Sequence, residues 1–104
     1  MINARLKLQN RLETILGNRN VYFQPPENIS MKYPCIRYSL DNIATNKASN
    51  SVYKKDYCYT LILIHTDPDN DVVDKILDMK YSRLNKVYNT QGLYHYVFTI
   101  YYKE

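Results

Sequence analysis

The residues best placed to do chemistry lie in "DPDND" at 67–71, which sets Asp67, Asp69 and Asp71 at alternate positions. Alternating carboxylates can ligate calcium, and Asp78 falls where the twelfth-place ligand of such a loop belongs. The sixth place, however, is Val72, where the tight turn of an EF-hand loop needs glycine. Helix capping accounts for the same acids without a metal, because carboxylates complement the positive end of a helix.

Cys35, Cys58, His65 and His95 are the other reactive side chains. A cysteine beside a histidine can act as nucleophile and base, but no local signature supports that role here. Cys58 sits inside an apolar run, where a thiol usually fills the core. No ligand-pair spacing marks a zinc site. Gly17 and Gly92 are the only glycines and lie far apart, which excludes the Gly-rich phosphate loops. No catalytic residue, metal or cofactor is therefore expected.

The elements that carry these residues are legible from periodicity. Leu8, Leu12, Ile15 and Leu16 recur at helical spacing and Gly17 follows, so a helix is expected over about 3–16. The segment "VYFQPPENISMKYPCIRY" (21–38) holds three of the four prolines and cannot be a helix interior. "VYF" reads as extended, "QPPEN" as turn or polyproline, and "KYPCIRYSL" as the first core strand, entered through the extended bias of Tyr33 before Pro34. Residues 41–55 are polar and turn-rich and predict a long, mobile hairpin connection. "DYCYTLILIH" predicts a central strand buried on both faces. A second helix follows, with Val72, Val73, Ile76 and Leu77 as its apolar stripe, Asp74, Lys75 and Asp78 opposite, and Asp69 or Asn70 as N-cap. "SRLNKVYN" and "GLYHYVFTIYY" read as two strands joined near Gly92. The expected class is α+β, an antiparallel sheet of about four strands with two helices packed on one face, in a single domain spanning 1–104.

Composition narrows the function classes. The 104 residues include 12 tyrosines, two phenylalanines and no tryptophan. Tyrosine combines packing area with a polar tip, which suits half-buried strands and interfaces. The net charge of +4 and pI near 9.0 come from scattered Lys and Arg, so a nucleic-acid surface is allowed without being indicated. The opening residues read as an amphipathic helix, not a secretory leader, and no apolar run reaches membrane-spanning length. The two cysteines are accordingly expected to be free, buried thiols.

Taken in order, "LETILG" (12–17), "VYFQPPENISMKYPCIRYSLDNI" (21–43), Tyr53 before a strand, "DPDND" ahead of a short helix and the terminal "GLYHYVFTIYY" (92–102) resemble the small tail-terminator (tail-completion) proteins of long-tailed bacteriophages. The resemblance runs from about Leu12 to Tyr102 and contains no catalytic motif. It implies a structural virion protein in the phage tail and neck, made in the bacterial host cytoplasm. Such a protein forms a homo-oligomeric ring, typically a hexamer, at the head-proximal end of the tail tube. There it would halt tube polymerisation and contact the tail tube protein and a neck or head connector protein, with DNA passing through the lumen without specific binding. A neighbouring neck or head–tail adaptor, and a small basic nucleic-acid-binding module, are the competing readings.

Two segments are candidates for subunit or partner contact. In the first, Tyr22, Gln24, Pro25, Pro26, Glu27 and Tyr33 would dock either on an adjacent subunit or on the edge of their own sheet. In the second, Lys47, Tyr53, Lys54 and Lys55 would sit on a mobile loop that orders on contact with the tube or neck.

Overall fold

Ala4, Leu8, Leu12, Ile15 and Leu16 form one buried stripe, and α1 (Ile2–Leu16) is the helix that this stripe dictates. Gly17 ends it with φ +85° and donates its N–H to the Glu13 carbonyl at 2.9 Å, a left-handed C-terminal stop. The computed structural model describes residues 2–25, 30–48 and 51–103, with side chains at 4–25, 30–45 and 56–102.

The fold is α+β: among the described residues, two helices and a five-stranded mixed sheet in the order β1-β2-β3-β5-β4. The strands are β1 (Val21–Phe23), β2 (Cys35–Ala48), β3 (Ser51–His65), β4 (Ser82–Thr90) and β5 (Leu93–Lys103). α2 (Val72–Leu77) joins β3 to β4. The expected count of about four strands rises to five because "VYF" pairs as a short edge strand. Its pairing with β2 is parallel (Val21↔Ile36, Phe23↔Tyr38), whereas every other pair is antiparallel. β4 and β5 turn through Gln91 and Gly92, with φ of 53° and 77°, the doubly positive conformation of a two-residue hairpin.

Alternation along the strands sorts the sheet into two faces. Ile36, Tyr38, Tyr57, Tyr59, Leu61, Leu63, Tyr96, Phe98 and Ile100 join the helical residues in one core cluster. A knot of side chains fastens α1 to this face. The Tyr38 hydroxyl donates to Gln9, Gln9 Nε2 donates to the Val21 carbonyl at 2.9 Å, and the Arg5 guanidinium lies 4.6 Å from the centroid of Phe23. Phe23 packs on Tyr38, with ring centroids 5.0 Å apart.

One expectation is met and one changes here. β3 is central, paired on both sides, and buried on both faces at its ends, Leu61 and Leu63 on the helical side and Cys58 and Ile64 on the reverse, where only Thr60 and Ile62 between them are half-buried. In α2, Val72 and Ile76 face the core and Leu77 turns outward, 40% exposed. Val72 and Leu77 are five residues apart, about 140° around the helix axis, so the two ends of the expected stripe cannot both face the sheet.

The most consequential change concerns residues 41–55. They do not form a long loop. β2 and β3 pair as far as Ala48↔Ser51, with register shifts at Leu40/Asn42 and Asn46/Lys47. β5 ends against Asp56, and β1 covers only Ile36 to Tyr38. The last part of β2–β3 is therefore a two-stranded ribbon, reaching about 15 Å past the sheet at the rise of an extended strand. The molecule is elongated accordingly, 52 × 26 × 22 Å.

Candidate interaction surface

The sheet has helices on one face only. Register pairing places the side chains of the other face in transverse rows. One row crosses all five strands as Tyr22, Arg37, Ile62, Val97 and Lys86. Ser39, Thr60, Thr99 and Arg83 form the next row, and Cys35, Ile64, His95 and Tyr88 the row on the opposite side. The floor of this face is thus small or β-branched at its centre. Cations flank it, with Arg37 and Lys86 three strand spacings apart, about 14 Å.

Local contacts hold the β4 side of the face. Tyr88 stacks on His95 with centroids 4.6 Å apart, and the Lys86 ammonium lies 5.3 Å from the Tyr88 ring. Asn85 Nδ2 donates to the Thr99 hydroxyl at 2.6 Å, and Asn85 Oδ1 accepts from Arg83 Nε at 3.1 Å. The three rows contain no carboxylate; Asp41 and Asp56 lie past their far end, toward the ribbon.

The candidate residues of the Pro-rich segment divide. Gln24 is engaged within its own subunit: its N–H donates to the Tyr38 carbonyl at 2.8 Å and its Oε1 accepts the Leu40 N–H at 3.2 Å. These bonds carry the edge pairing of β1 one residue further, so this part of the segment covers its own sheet edge. Tyr22 belongs to the uncovered face, Pro25 borders a shallow cleft with Arg37 and Ser39, and Tyr33 is 43% exposed ahead of Pro34. Pro26 and Glu27 lie outside the described residues. Lys47, Tyr53, Lys54 and Lys55 belong to the ribbon strands, not to a loop, and their side chains lie outside the described residues.

The aspartates of "DPDND" build a turn. Asp67 Oδ1 accepts the Asp69 N–H at 2.9 Å, and His65 Nδ1 accepts the Asp67 N–H at 3.0 Å. Asp71 occupies the position before α2 but makes no side-chain cap; Asn70 Oδ1 accepts the Val73 N–H at 3.3 Å instead. The capping expected of this segment thus falls to the amide, and Asp71 pairs with Lys75 at 3.3 Å. Among the described residues, no three of His, Cys, Asp and Glu converge closely enough to hold a metal ion, and no helix is long and apolar enough to cross a membrane.

Cys35 and Cys58 are free and buried. Burial pushes the Cys35 thiol up to about 11, against a smaller opposing pull from Arg37. Burial also raises Cys58, opposed by its hydrogen bond with Tyr101. Thiolate is the reactive form, so iodoacetamide at pH 8 should label neither cysteine in the folded protein and both in denaturant, as read by intact mass. The linkage has a definite sign. The unfolded thiol ionises near 9.0 and the folded Cys35 thiol near 11, so the native state holds its proton longer. Stability from this source is complete below pH 9 and is lost as the pH rises toward 11. Urea midpoints should fall between pH 8.5 and about 11, and the fall should shrink in Cys35→Ala.

Several shallow clefts are present, including one between Arg11, Met79, Lys80, Tyr81 and Tyr102. The distinctive surfaces are the uncovered sheet face and the projecting ribbon. No family model matches this chain, and no curated protein is detectably similar to it in sequence.

Proposed function

We propose that this chain is a structural subunit of the head-proximal end of a phage tail. Copies assemble into a ring, taken as a hexamer, that ends polymerisation of the tail tube and joins it to the neck or head connector. Its place is then the virion, with assembly in the host cytoplasm, and DNA crosses the lumen without specific recognition. One observation carries this reading beyond the sequence resemblance: the β2–β3 ribbon runs past every other strand of the sheet. An isolated two-stranded ribbon is marginal in water, so its natural use is to be covered by a neighbouring protein. The ribbon offers backbone donors and acceptors along two edges, which suits strand-to-strand docking on a tube or an adjacent subunit.

The test is electron microscopy of the purified protein mixed with tail tubes. A ring of density at one end of each tube is the expected image. Tubes that stay bare at both ends, or density along their whole length, would sink the reading.

A further inference from the structure

Charge is segregated along this chain. Residues 67–78 hold five aspartates and one lysine, a formal −4, within a protein of net +4, so the remainder carries +8. Half of the ten acidic residues lie in that one segment. Asp67, Asp69, Asp71, Asp74 and Asp78 are all exposed there, and so is Leu77. The uncovered sheet face is the complement: Arg37, Arg83 and Lys86 around Ile62, Val97 and Thr99, with no carboxylate in its three rows.

We infer that copies of this chain associate head to tail, with the Asp-rich segment 67–78 of one copy seated on the uncovered sheet face of the next. Leu77 meets the Ile62–Val97 floor, and Asp69 and Asp74 meet the flanking cations. The opposite arrangement, face to face about a two-fold axis, sets cations against cations with nothing to neutralise them. A heterologous contact avoids this, because each copy brings one surface of each sign and the chain of contacts continues until it closes. The inference deepens the proposed ring by naming the surfaces between its subunits, and it rests on the chain acting as a repeated part.

Charge reversal tests it by sedimentation velocity of the full chain. One variant carries Arg83→Glu and Lys86→Glu, the other Asp69→Lys and Asp74→Lys; all four side chains are exposed. Circular dichroism and a thermal melt establish that each variant is folded. If either reversal unfolds the chain, the neutral pairs (Arg83→Gln with Lys86→Gln, Asp69→Asn with Asp74→Asn) replace it and should weaken association in the same direction. The wild type should associate, and less so as salt rises. Each reversed variant alone should associate about tenfold or more weakly, and an equimolar mixture should recover, since each now fits only the other.

A wild type that stays monomeric, a reversed variant that assembles normally, or a mixture that does not recover would overturn the inference. So would a single-stranded oligonucleotide that binds the face of a protein showing no self-association. The two proposals fail separately. Normal tube capping by both reversed variants removes this interface and keeps the ring function, whereas charge-dependent assembly with no affinity for tubes does the reverse.

Discussion

Phe98→Ala should destabilise the protein by about 3–5 kcal/mol, the usual cost of emptying a buried aromatic site. Phe98 is fully buried on β5, paired with Leu61 of β3 and Leu84 of β4, in the cluster that receives both helices. A domain of this size has a total stability on the order of 5–15 kcal/mol, so one truncation removes a large share. The matching change on the reverse face, Tyr101→Ala, should cost about 1 kcal/mol or less, because Tyr101 is 44% exposed. Urea denaturation of the two variants measures the contrast. Equal losses would mean that the reverse face contributes as much to stability as the helical side.

The second large effect is functional. Replacing residues 45–55 with a two-residue Asn-Gly turn removes the ribbon beyond the last β3–β5 pair at Asp56↔Lys103. Beyond Asp56 the two strands pair only with each other, so the melting temperature should move by less than about 5 °C, equivalent to roughly 1 kcal/mol. Capture of tail-tube ends, scored as the fraction of capped tubes in micrographs, should be abolished. A shortened protein that melts normally and still caps tubes would show that the ribbon is not the tube contact. One that unfolds would show that the ribbon is part of the folding unit.

The ribbon was also the element hardest to read from the residues. Asp41 to Lys55 lack the alternating apolar pattern of a half-buried strand. What makes it a strand is backbone pairing of β2 with β3, a non-local property that no window of residues carries. β1 was missed as a sheet member for a related reason: three residues carry little period, and the parallel register to Ile36–Tyr38 closes only when the chain returns. For Gln24 the residues leave docking on a neighbour or on its own sheet edge open, and the structure shows its bonds to that edge. Arg37, Arg83 and Lys86 are not marked as a group by the sequence, because Arg37 lies on β2 and the other two on β4, and only the sheet register sets them on one face.

Helix α1 and its stop at Gly17, the short α2, the β4–β5 hairpin around Gly92 and the centrality of β3 followed from the residues alone. Each depends on neighbours a few positions away, where a 3.6- or two-residue period and a positive φ are decisive. The parallel edge strand, the projecting ribbon and the gathering of cations on the sheet face that the helices leave uncovered were decided by tertiary structure. They depend on which distant segments pair and which face the helices leave uncovered, and pairing across a sheet is set by the whole chain at once.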